Sequence, residues 1–193
     1  MLKLALIIVG LCIVAGVVFL LRTRPPSSSA PQRTANAKAN APIYSDLRTQ
    51  ALIGSRSAFG LNTTPADAPA WGVLMETGFP EGTATLVSML DGSASLYFSG
   101  GGGVIGGSGH ESVRRVATAF VRLAGQQQAC MAVTRTFPLP RDGRTVFYVL
   151  TDSGVFSAEA DESALGEQRH ALSPLFYAGQ DVITQLRLAS AMK

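Results

Sequence analysis

Apolar and polar positions follow three different patterns along the chain. Leu4 to Leu21 (LALIIVGLCIVAGVVFLL) is an unbroken apolar run of eighteen residues without a charge. That length predicts a helix that crosses a bilayer, so residues 1–21 read as an N-terminal transmembrane anchor. Polar and small residues then take over from Arg22 to Ala41 (RTRPPSSSAPQRTANAKANA). With almost nothing apolar to bury, residues 22–41 read as a flexible juxtamembrane linker. From Pro42 onward apolar residues return at short periods, and residues 42–193 are long enough for one folded domain with a core of its own.

Within that domain the periods predict the elements. Ile43, Leu47 and Ala51 are spaced by four and predict a short helix over Ile43–Ile53. Asn62–Pro69 (NTTPADAP) is a loop by its prolines. Strands are predicted at Trp71–Glu76, Thr83–Leu90 and Ser95–Phe98, with Asp91-Gly92 as a hairpin turn. Glu111–Ala124 predicts a helix with Val113, Val116, Ala117, Phe120, Val121 and Ala124 on one face and Gly125 as its C-terminal cap. Cys130–Val133 reads as either a continued helix or a short strand. Arg144–Leu150 and Val155–Glu159 form a further strand pair. Ser173 then reads as an N-cap with Pro174 in first position, opening a helix over Leu175–Leu188 with Leu175, Val182, Ile183 and Leu186 inward. The expected fold class is α+β: a transmembrane helix, then one antiparallel sheet of about five strands with two or three helices packed on one face.

Charge changes the picture in one respect. The net +3 is unevenly placed: residues 1–41 carry five basic and no acidic residues, leaving eleven basic against thirteen acidic, a net of −2, in 42–193. The basic balance therefore belongs to the anchor and linker, where it suits anionic headgroups. The domain lacks the basic footprint of a nucleic-acid binder, and no nucleic-acid partner is expected. Arg22, Arg24, Arg33 and Lys38 all follow the apolar run. The positive-inside rule then places the domain in the cytoplasm, on a single-pass protein of the inner membrane.

Candidate chemistry centres on Ser99–Arg115 (SGGGGVIGGSGHESVRR), with seven glycines between Gly100 and Gly109. Gly101, Gly103 and Gly106 match G-x-G-x-x-G literally, after a strand and before a helix. The strand belongs to an antiparallel hairpin, however, and no acidic residue stands about twenty positions on. The glycines read first as a conformational device, with apolar Val104 and Ile105 as an interface candidate if exposed. His110, Arg114 and Arg115 follow at the helix start and complete the set of ligand or interface candidates. Ser108 with His110 is the remaining route to a hydrolase, although the G-x-S-x-G elbow is incomplete. His110 and His170 lack metal-ligand spacing, so no metal and no cofactor is expected. Cys130 reads as a small buried residue, and Trp71 and Tyr97 as sheet packing.

The element order resembles that of the profilin-like and roadblock/longin domains, over roughly residues 42–190. The phrases WGVLMETG, SLYFSGGGGVIGG and FYVLTDSGV resemble a bacterial membrane-anchored family of uncharacterised function. That resemblance implies no activity and no site residues. The expectation is a membrane-anchored, non-catalytic adaptor or scaffold domain that contacts the bilayer through residues 4–21 and binds a protein partner or a second copy. A small-ligand or nucleotide sensor using Gly100–Gly109 is the first alternative, and a hydrolase the second.

Overall fold

The computed structural model of the chain describes residues 30–61 and 68–191, with side chains from Pro42 onward. The expected anchor over residues 4–21 lies outside the described residues, as do residues 22–29 of the expected linker and 62–67 of the expected loop. Among the described residues no helix is long and apolar enough to cross a membrane. The chain divides into two compact units, 1–34 and 35–193. Of the first, only Ala30–Thr34 are described, as helical backbone.

The elements run α1 (Ala30–Ile53), β1 (Gly72–Phe79), β2 (Gly82–Met89), β3 (Ala94–Phe98), β4 (Gly103–Val104), α2 (Glu111–Gln126), β5 (Ala132–Thr134), β6 (Arg144–Thr151), β7 (Gly154–Asp161), α3 (Glu162–Gly166) and α4 (Ser173–Ala191). The fold is α+β. One seven-stranded sheet has the order β4-β3-β2-β1-β6-β7-β5, and every neighbouring pair is antiparallel. The five expected strands are the five longest. The additional two are short edge strands, β4 with two residues and β5 with three. Cys130–Val133 is split between a 3₁₀ turn, Gln128–Cys130, and the start of β5.

The central strands are apolar at both parities, and this decides the layering. Val73, Met75, Leu86, Phe147 and Val149 point to one face. There they pack with Phe120 and Val121 of α2 and Leu175, Phe176, Val182 and Leu186 of α4. Leu74, Val87, Tyr148 and Leu150 point to the other face, with Trp71, and meet Ala51 and Leu52 of α1 and Leu61. The expectation that all helices share one face is therefore corrected. Runs such as Val146–Leu150 bury both sides of a strand, and a sheet built from them needs a cover on each.

Three local readings also change. The helix expected at Ile43–Ile53 begins at Ala30 and takes Pro42 into its interior. Of the expected stripe Ala51 is buried, but Ile43 is 58 % exposed, and Tyr44 and Leu52 complete the buried face instead. Gly125 is not a cap but a buried residue inside α2, which Gln127 ends. A Cβ on Gly125 would stand 3.0 Å from Pro69 Cβ, so its role is the close approach of helix to chain. Helix α4 starts at Ser173, which puts Pro174 in the first turn, where a missing N–H costs nothing.

Candidate functional site

The glycine-rich stretch is a hairpin that leads into a helix. Phe98 closes its turn: its carbonyl accepts from the Gly101 N–H at 2.9 Å, and its own N–H donates to the Gly102 carbonyl at 3.2 Å. Gly101 and Gly102 carry φ of 96° and 85°, which L side chains rarely adopt. Gly103 pairs with Tyr97 and Val104 with Leu96. Val104 packs against the main core, whereas Ile105, the next residue, is 67 % exposed. Gly106 (φ 80°) then turns the chain into the 3₁₀ turn Gly107–Gly109, with Gly107 buried.

Gly101, Gly103 and Gly106 are thus a turn residue, a ladder residue and a left-handed link. His110 has extended backbone and sits at the N-cap of α2, with no side-chain cap bond. Arg114 is engaged locally. Its guanidinium donates to the Ser108 carbonyl at 2.7 Å and pairs with Glu111. This ties the turn to the first turn of α2. Arg115 is exposed beside it. Both arginines, with Asp91, Glu111, Thr118 and Arg122, line a shallow open groove on the outer side of α2.

His170 serves locally as well. Its Nδ1 accepts from the Leu172 N–H at 3.1 Å, ahead of α4. Among the described residues no group of three His, Cys, Asp or Glu side chains converges as metal ligands would. Cys130 is exposed, which corrects the expectation of a buried residue: the 3₁₀ turn that it ends lies outside both apolar clusters. Trp71 is buried and stacks at a tilt on Phe59, with ring centroids 5.9 Å apart.

The most demanding polar chemistry lies elsewhere, at residues outside the expected candidates. Glu76, in the middle of β1, is fully buried on the α1-covered face. Arg48 of α1 meets it in fork geometry, Nε to Oε1 at 2.7 Å and an Nη to Oε2 at 2.8 Å. The Thr85 hydroxyl of β2, directly across from Glu76, donates to Oε1 at 2.9 Å. Thr85 has one proton and has used it, so the Tyr44 hydroxyl, 2.9 Å away, donates to Thr85. Both carboxylate oxygens are satisfied, as burial of a charge requires.

Around this pair the 135–143 loop closes the face. The Arg48 guanidinium also donates to the Phe137 carbonyl at 2.9 Å. The Tyr148 hydroxyl donates to the Pro138 carbonyl at 2.7 Å. Burial, and then the Glu76 carboxylate, push the Tyr148 phenol up to about 12. Burial likewise raises the Tyr44 phenol. Burial opposes the Arg48 charge, but the hydrogen bonds and charge of Glu76 outweigh it and raise its pKa. Both carboxylate oxygens of Glu76 are committed to protein partners, so the cluster joins helix to sheet.

One signal for it is present in the sequence: Tyr44, Arg48, Ala51 and Leu52 recur at helical spacing. An arginine in an otherwise apolar stripe implies a carboxylate beneath it. The chain matches no family model, no curated protein sequence and no solved structure.

Proposed function

We propose that the chain is a membrane-tethered, non-catalytic interaction domain. Residues 4–21 are its bilayer anchor, its domain lies on the cytoplasmic side of the inner membrane, and the glycine edge of the sheet contacts a protein partner or a second copy. One observation carries this reading: Ile105 stands 67 % exposed at the end of a glycine-flanked edge strand. A large apolar side chain held out by backbone this constrained fits a contact surface. The engagement of Arg114 by Ser108 and Glu111 weakens the competing anion-binding reading.

The test is co-purification of the full-length protein from membranes, beside an Ile105→Asp variant, with light scattering to report self-association. The contact reading expects a partner, or a dimer, that is present with wild type and lost with the folded variant. Identical co-purifying proteins and identical mass for both would overturn it.

A further inference from the structure

We propose that α1 is a separable cover on the sheet, latched by the Arg48–Glu76 pair rather than held by apolar burial. The argument starts from what α1 gives the core. Of its described side chains, only Tyr44, Ala51 and Leu52 are buried apolar residues. Its remaining inward position is Arg48, whose side chain is 12 % exposed against a fully buried Glu76.

The two apolar clusters are also unequal. The larger, with α2 and α4, contains no residue of α1. The smaller still keeps Trp71, Leu61, Phe59 and Phe137 from outside the helix. The domain's main core is therefore complete without α1. Local opening follows such boundaries, because elements with few buried apolar contacts open below the global stability.

What resists that opening is electrostatic. While α1 is closed, Arg48 is the counterion of a fully buried Glu76; without it an uncompensated charge would stand beneath the helix, and lifting α1 would relieve it by admitting water. Latch and cover thus move together: Tyr44, Thr85, Arg48 and Glu76 form one connected network, and Arg48 also holds the Phe137 carbonyl of the loop. Opening would uncover Leu74, Val87 and Tyr148 on the second face of the sheet.

Hydrogen exchange read by mass spectrometry on the full-length protein in detergent micelles tests this, comparing wild type with Arg48→Ala. Exchange over residues 42–53 is expected to quicken on the order of 100-fold. Peptides from α2, β6 and α4 are expected to keep their wild-type protection. If Arg48→Ala fails to fold, Arg48→Lys keeps the charge but loses the fork, and a smaller rise confined to residues 42–53 is expected. A rise shared equally by α2, β6 and α4, or no rise over residues 42–53, would overturn the proposal.

Discussion

Gly103 lies so close to Leu96 that a Cβ on it would stand 2.2 Å from the Leu96 carbonyl oxygen. The neighbour is backbone in the β3–β4 ladder and cannot swing away. Gly103→Ala is therefore expected to cost about 2–3 kcal/mol, because strain at a special backbone position adds to the clash. Gly100 has no atom within 4 Å of its Cβ site, and Gly100→Ala should stay within about 0.5 kcal/mol. Urea unfolding of the two variants separates these outcomes. Equal costs would show that the hairpin does not depend on close approach.

Ile105 and Val104 are neighbours with opposite surroundings, one exposed and the other packed against the core. Ile105→Asp should change stability by less than about 0.5 kcal/mol, whereas Val104→Asp should cost several-fold more by placing a charge against apolar side chains. Thermal unfolding checks this directly. It also identifies Ile105→Asp as the variant that can disturb a contact without disturbing the fold.

The relay from Tyr44 through Thr85 to Glu76 predicts coupling. Thr85→Val removes the acceptor of the Tyr44 hydroxyl and one donor to Glu76. It should cost about 1–3 kcal/mol, since it leaves buried polar atoms unpaired. Tyr44→Phe should cost about 1 kcal/mol in wild type but much less beside Thr85→Val. A double-mutant cycle measures the difference, and strict additivity would mean that the two hydroxyls act independently.

The Tyr148 phenol gives the domain a defined alkaline limit. Its folded pKa of about 12 lies above the unfolded value of 10.0, so the folded state holds its proton more tightly. The stabilisation is fully present below about pH 10 and is lost as pH rises from there through 12. The raised Tyr44 phenol acts in the same direction. Denaturant midpoints between pH 9 and 12 should fall, and Tyr148→Phe should flatten that fall. An unchanged slope in the variant would assign the alkaline loss to other groups.

The sequence made the sheet readable wherever apolar alternation met a turn signal. Asp91-Gly92 fixed the β2–β3 hairpin, and the stripe from Val113 to Ala124 fixed α2 and its inward face. The second face was harder to read. Leu74 and Glu76 share one parity of β1, and a carboxylate there reads as a solvent-facing position. Only α1, arriving from residues 30–53, buries it. That helix was in turn obscured by its small and polar composition and by Pro42, which normally argues against a helix interior. The apolar spacing of Ile43, Leu47 and Ala51 points to a neighbouring stripe, although Tyr44 and Arg48 carry the docking. In the glycine stretch, the conformational demands were legible from composition. The pairing of Gly103 with Tyr97 was not, because a two-residue strand leaves no periodic trace.

The two short edges of the sheet have a consequence for how it meets other chains. Strand β4 offers two residues at one end and β5 three at the other. Beyond β5, the outer part of β7 carries Glu159 and Asp161, both bound by Arg144. Short or charged edges discourage one sheet from extending another. The molecule can therefore be crowded without its strands adding to those of its neighbours, a safeguard against aggregation. A partner at the glycine edge would have to be recognised by side-chain shape, with Ile105 as the protruding feature, because the backbone there is too brief to template a new strand.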